Sequence, residues 1–187
     1  VAYSSVSHMA YILLAASATT RLSMSAAVFQ MVSHGLISAF LFLLVGMVYK
    51  KTGSRDVDVL RGLLNPEKGL PVTGGMMILG VMASSGLPGM VGFISEFLVF
   101  RGSFPIFPIP TLLCLVATGL TAVYFLLVVN KVFFGRLTEG LAQIPPVQWQ
   151  EHAPAFVLLL LIIAFGLKPD WVTHWSEVQA IALLPGS

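Results

Sequence analysis

Apolar residues in this chain do not alternate with polar ones. They run in long blocks, separated by short polar stretches or by clusters of glycine and proline. A hydrocarbon layer about 30 Å thick is crossed by roughly 20 apolar residues of helix. Five blocks approach or exceed that length: residues 1–19, 23–49, 70–102, 108–134 and 153–167. The fifth is short, but Val157–Phe165 carries no polar group. The third is too long for one straight helix and contains Ser84-Ser85-Gly86-Leu87-Pro88-Gly89. Pro88 removes a backbone donor and crowds the preceding turn, and Gly86 and Gly89 weaken a helix further. The pattern therefore predicts an all-α polytopic membrane protein with five transmembrane helices, the third broken at Gly86–Gly89. The first block reads as a helix already under way at Val1, so more chain is expected before it. A short amphipathic tail is expected over 170–184, with Trp171 and Trp175 near a membrane surface.

Composition sharpens this picture. Of the 187 residues, 57% are hydrophobic and 10% charged, and the mean hydropathy is +0.91. Soluble domains carry about 25% charged residues. This chain could not cover a globular exterior, so lipid is the expected partner of its outer faces. The net charge of +2 gives no basis for nucleic acid binding. The single cysteine, Cys114, cannot close an intrachain disulfide, and no His/Cys cluster has metal-ligand spacing. No phosphate loop or nucleotide fingerprint is present. No bound cofactor and no redox chemistry are expected of this chain.

The basic residues assign direction. Lys50, Lys51, Arg55, Arg61 and Lys68 join blocks two and three, Lys131 stands at the edge of block four and Arg136 follows it. Arg21, Arg101 and Lys168 lie on the opposite side. The excess of basic residues places the Lys50–Lys68 loop in the cytoplasm.

Four ionisable residues at or near membrane depth are candidates for chemistry. Glu96 sits in Gly92-Phe93-Ile94-Ser95-Glu96-Phe97-Leu98 with apolar neighbours on both sides. A carboxylate in hydrocarbon costs roughly 2.5–3.5 kcal/mol on insertion scales, so it must be paired, hydrated or protonated. The readings that fit are a proton carrier, a structural glutamate bonded to a neighbouring helix, or a glutamate reaching towards the surface near Arg101. His8 has Ser4 at i−4 and Tyr11 at i+3, and His34 has Gln30 at i−4 and Ser38 at i+4. Each histidine thus lies in a polar stripe on an apolar helix. An imidazole can accept a proton at one nitrogen and donate from the other. The stripes suit either a hydrated proton wire or a pair of helix-gluing histidines. Lys131, after Asn130 at the end of block four, suits an interfacial lysine or a proton carrier. His152 and His174 are assigned to loop or interface positions without a role.

Three blocks of sequence resemble one family. They are Ala2-Tyr3-Ser4-Ser5-Val6-Ser7-His8-Met9, Gln30-Met31-Val32-Ser33-His34-Gly35-Leu36, and Gly86-Leu87-Pro88-Gly89 followed by Gly92-Phe93-Ile94-Ser95-Glu96-Phe97. In this order they resemble the antiporter-like membrane subunits of complex I, and most closely the chain 4 type of the cyanobacterial and chloroplast NAD(P)H–plastoquinone dehydrogenase. The resemblance covers essentially the whole chain. It implies the C-terminal repeat of a larger bundle of about fourteen helices, with the first repeat and its glutamate–lysine pair not represented here. It implies Glu96 as a central proton carrier after the helix break, and His8 and His34 on a polar central axis. It also implies a non-redox subunit of a translocase whose quinone (plastoquinone) and iron–sulfur clusters belong to other subunits. The implied setting is a cyanobacterial thylakoid membrane, among other membrane subunits. The stretch from Leu63-Leu64-Asn65-Pro66 to Ala122-Val123-Tyr124-Phe125 resembles the form used in CO2 uptake, which would add a CO2-hydrating partner. The rivals are a cation/proton antiporter subunit of the Mrp type and a passive membrane scaffold.

Overall fold

The computed structural model describes residues 1–141 and 144–174, and among these all regular structure is helical. Helix α1 spans Ala2–Ser17, α2 Arg21–Thr52, α3 Pro71–Ser84, α4 Val91–Ser103, α5 Pro108–Phe133 and α6 Trp149–Leu167, with a short 3-10 turn at Glu139–Leu141. Helices α2, α5 and α6 are each long and apolar enough to cross a membrane. Helices α1, α3 and α4 are shorter, at 16, 14 and 13 residues. Residues 175–184 of the expected tail, including Trp175, lie outside the described residues, while residues 170–174 begin a new helical turn.

Local chemistry accounts for the ends. Helix α1 stops at Ser17 because Thr19 takes a positive φ of 49° and Thr20 turns to cap the next helix. The Thr20 side chain accepts from the Ser23 N–H at 3.0 Å, and the Ser23 hydroxyl accepts from the Thr20 N–H at 2.9 Å. This reciprocal cap satisfies two donors that would otherwise be orphaned. The C-terminus of α2 ends on Gly53 in the left-handed region at φ 70°.

The long third block is two helices. At the end of α3, the Gly86 N–H donates to the Ala83 carbonyl at 3.4 Å and the Leu87 N–H to the Met82 carbonyl at 3.0 Å. Gly86 stands at φ 71°. These are the two bonds of a Schellman cap, with glycine at the left-handed position and proline just beyond. The break therefore satisfies its own carbonyls, which is what lets a helix stop inside an apolar environment.

Helix α6 begins at Trp149, four residues before the start expected from hydropathy. A reciprocal cap between Gln148 and Glu151 holds this polar first turn. Lys50 Nζ at 2.7 Å and Lys51 Nζ at 2.9 Å both bind the Glu151 carboxylate, tying α6 to the end of α2. Pro154 lies inside the second turn and removes one intrahelical bond. His152, expected in a loop, is instead buried in α6, where its Nε2 lies 3.0 Å from the Thr73 hydroxyl of α3.

The centre of the bundle is α2, which packs against α1, α3, α4 and α6. Phe29, Phe40, Leu41 and Leu44 on it are almost wholly buried. At the far end of α6 the helix axis meets the break directly. A Cβ built on Gly166 would stand 2.4 Å from the Met90 carbonyl carbon and 2.6 Å from the Gly89 carbonyl oxygen. Only glycine permits that approach.

Candidate functional site

The polar stripes of α1 and α2 meet one another and the glutamate of α4. His8 is 4% exposed and Glu96 4% exposed, and the His8 Nδ1 lies 3.7 Å from Glu96 Oε1. The rings of His8 and His34 stack, with centroids 5.0 Å apart and planes 26° from parallel. The convergence follows from helix periodicity. His8 shares a face with Ser4 and Tyr11, all buried in α1, and His34 shares one with Gln30, Ile37 and Leu41 of α2. Helices α1 and α2 both pack against α4 and against each other.

Each member of the cluster has identifiable partners. Gln30 Nε2 stands 3.1 Å from His8 Nδ1. The other His8 nitrogen, Nε2, lies 3.5 Å from the hydroxyl of Ser84, the last residue of α3 before the break. The Ser38 hydroxyl lies 3.1 Å from His34 Nε2. On its far side, Glu96 Oε2 accepts from the Thr118 hydroxyl of α5 at 3.3 Å. Thr118 in turn lies 3.0 Å from the Tyr11 hydroxyl, which also donates to the Cys114 carbonyl at 3.2 Å. A connected polar array thus runs through α1, α2, the end of α3, α4 and α5, inside otherwise apolar packing.

The helix break is part of this array. A Cβ on Gly86 would lie 3.0 Å from Glu96 Oε2. The left-handed glycine brings bare backbone against the carboxylate, so Gly86 both ends α3 and makes room for Glu96. Pro88 and Gly89 complete the turn, and a Cβ on Gly89 would meet nothing within 4 Å. Nearby, the Ser95 hydroxyl donates to Ser33 at 3.0 Å and locks α4 to α2 one residue before Glu96.

Lys131 lies outside this array. It ends α5 and pairs with Asp58 in the loop after α2, and both side chains are substantially exposed. The hydrogen bond from Lys131 holds the Asp58 carboxyl below the usual carboxylate range. The lysine is held by a loop carboxylate that hydropathy alone did not pair with it. Thr118 is the member that sequence reasoning missed. Its only signal was a hydroxyl in a strongly apolar helix, which is common, because threonine can satisfy itself on its own backbone.

Among the described residues, no group of three or more His, Cys, Asp or Glu could hold a metal ion. The array is suited to moving protons: each neighbour is a hydroxyl, an imidazole, an amide or a carboxyl, and none is a nucleophile–base pair facing an open cleft.

Residues 1–121 match the family described as NADH:quinone oxidoreductase/Mrp antiporter, transmembrane region. The chain is 38% identical over 91% of its length to F(420)H(2) dehydrogenase subunit M of Methanosarcina mazei, covering 34% of that protein. It is 37% identical over 98% of its length to NAD(P)H-quinone oxidoreductase chain 4 of Trichormus variabilis, covering 35% of it. Against NADH-quinone oxidoreductase subunit M of Escherichia coli the identity is 32% over 95% of the chain, again covering 35%. The chain thus spans about a third of the length of these relatives. Its fold superposes on a chain of respiratory complex I from Thermus thermophilus with a TM-score of 0.86, at 25% identity, covering 99% of this chain and 39% of that one. A chain of the membrane-bound sulfane sulfur reductase, an archaeal respiratory membrane complex, gives 0.87 at 28% identity, covering 98% and 30%. Over matched residues 1–121, which hold His8, His34, the helix break, Glu96 and Thr118, this chain belongs to the NADH:quinone oxidoreductase/Mrp antiporter membrane family.

Proposed function

We propose that this chain is the C-terminal, proton-carrying part of an antiporter-like membrane subunit in a quinone-reducing dehydrogenase complex. The observation that carries the reading is the buried Glu96–His8 pair at 3.7 Å, set against a helix break and linked to His34 on one side and Thr118 on the other. A buried carboxyl beside a buried imidazole can form an ion pair or two neutral groups, and transfer of one proton between them interconverts the two states. The neighbours support both states. Thr118 donates to the carboxylate, and can accept once Glu96 is protonated, turning its own hydroxyl to the Cys114 carbonyl 3.4 Å away.

Protons enter from the cytoplasmic side, pass His34 and His8 with water between them, and reach Glu96. Glu96 then releases toward the opposite side. Redox chemistry in partner subunits drives the cycle by moving charge along a row of buried groups, which changes the proton occupancy of the pair. Quinone and iron–sulfur clusters belong to those partners. In this reading the chain forms the last repeat of a bundle of about fourteen helices and crosses the membrane five times.

The finer proposal is plastoquinone as acceptor, a cyanobacterial thylakoid membrane, and a CO2-hydrating partner subunit. Its support is the set of cyanobacterial chain 4 relatives, at 36% to 38% identity over 98% of the chain. Relatives from Methanosarcina and Escherichia at 38% and 32% support the broader statement equally well.

The test is Glu96→Gln in the full-length subunit within its complex, scoring assembly and reductant-driven proton uptake together. Assembly retained with proton uptake sharply lost is the expected result. Normal uptake in an assembled complex would remove Glu96 from the path. Loss of assembly, with no separate effect on transport, would favour the passive scaffold. Sodium-dependent transport without quinone or reductant would reassign the chain to the Mrp branch of the family.

A further inference from the structure

Gln30 is 1% exposed, and its two amide atoms are treated very differently. Nε2 stands 3.1 Å from His8 Nδ1, whereas Oε1 is buried without any hydrogen-bond partner. A buried unpaired acceptor is unfavourable. An amide placed so that one end is satisfied and the other orphaned, beside a group that changes protonation, has a second orientation available to it.

We propose that the Gln30 amide is a two-position gate on proton transfer between His8 and Glu96. This rests on the proton-carrier reading of Glu96. With Nε2 facing His8, the amide donates to Nδ1, so Nδ1 is an acceptor and has no proton to pass on. The His8 proton then sits on Nε2, facing Ser84. When His8 gains a proton, both nitrogens become donors. Nδ1–H then opposes the amide N–H, and a half-turn of the amide presents Oε1 instead. That orientation satisfies the orphaned oxygen and holds a proton on Nδ1, 3.7 Å from Glu96 Oε1. Transfer breaks the Nδ1–H bond as an O–H bond forms on Glu96. His8 returns to neutral and the amide turns back. No other bond changes, and no co-reactant is required.

Every element packed against His8 contributes to its surroundings. The titratable groups facing it are His34 from α2, Glu96 from α4 and Tyr11 from its own helix, with Cys114 of α5 behind Tyr11. No lysine or arginine is paired with His8 or Glu96 among the described residues, so the amide is the neutral group in direct contact with the transferable proton. Gln30 is thus a positioning residue, acting through His8.

Gln30→Glu tests the gate. It replaces a reversible donor–acceptor with a carboxylate that only accepts, so the His8 proton is held continuously. In the full-length complex, the pH profile of reductant-driven proton uptake should move by roughly one pH unit or more toward the alkaline side, one unit being a tenfold change in proton affinity. A uniform loss of rate at every pH, with the midpoint unmoved, would mean that Gln30 only packs, and would overturn the gate. Should the variant fail to assemble, the wild-type complex decides. Infrared difference spectra with isotope-labelled glutamine should show an amide carbonyl band that changes with reductant and vanishes in Gln30→Met. A band indifferent to turnover overturns the proposal. Glu96→Gln keeps the two ideas apart: if it abolishes uptake while Gln30→Glu leaves the midpoint in place, the carrier reading stands and the gate falls.

Discussion

Replacing Gly86 by alanine separates two effects that the helix break combines. Gly86 holds φ 71°, a left-handed conformation in which a Cβ costs about 1–2 kcal/mol. The added Cβ would also stand 3.0 Å from Glu96 Oε2, closer than ordinary contact, so the carboxylate must move. That oxygen already accepts a long bond, 3.3 Å, from Thr118. Pushing it away breaks a hydrogen bond to a charged group, worth about 1.5–3 kcal/mol. Gly89→Ala is the control. It holds φ 92°, so it carries a similar backbone penalty, but nothing lies within 4 Å of its Cβ. Both variants should therefore lower thermal stability of the complex, Gly86→Ala by the further worth of the lost bond. Only Gly86→Ala should lose proton uptake beyond that, by roughly ten- to a hundredfold at about 1.4 kcal/mol per factor of ten. The assay is reductant-driven uptake in vesicles holding equal amounts of assembled complex. Equal transport defects in the two variants would refute a direct role for the contact between Gly86 and Glu96.

Two further outcomes follow from the same geometry. Thr118→Val keeps the side-chain shape but deletes the donor to Glu96 and the partner of Tyr11. Assembly should survive, and uptake should fall roughly tenfold for a lost bond to a charged group; an unchanged rate would exclude Thr118 from the path. Asp58 has its carboxyl held low by Lys131, so the stabilisation of that loop is present at neutral pH and fades as pH falls through the depressed value. Protection from hydrogen exchange over residues 56–61, relative to the intrinsic rate at each pH, should fall at acid pH and at high salt. Lys131→Gln should remove both dependences, and with proton uptake unaltered it would leave Lys131 an interfacial residue.

The sequence was most informative where physics is local. Gly86 and Pro88 mark a helix end because a left-handed residue and a missing donor have few other uses. The stripes around His8 and His34 were legible as faces, since spacings of three and four residues place side chains together on any helix. What no stripe contains is the neighbour across the interface. That His8 meets Glu96, and that its ring stacks on His34, depends on the crossing of α1, α2 and α4. Thr118 was invisible for the same reason, as was the burial of His152 against Thr73. Hydropathy also began the last helix too late. The first turn of α6 is polar, and it is held by Lys50 and Lys51 from α2, residues read from charge alone as markers of the cytoplasmic side.

Helix α6 is gripped at both ends by different means. Two lysines clamp Glu151 at the basic surface, and the bare backbone of Gly166 lies against the backbone of Gly89 and Met90 at the helix break. Fifteen residues separate those grips, roughly 22 Å at 1.5 Å per residue. A helix is stiff along its axis, and at Gly166 no side chain is interposed to cushion the contact. The segment is a strut. It carries one softer point, the second turn where Pro154 removes a bond, and its far end rests on the turn whose Gly86 backbone adjoins the Glu96 carboxylate.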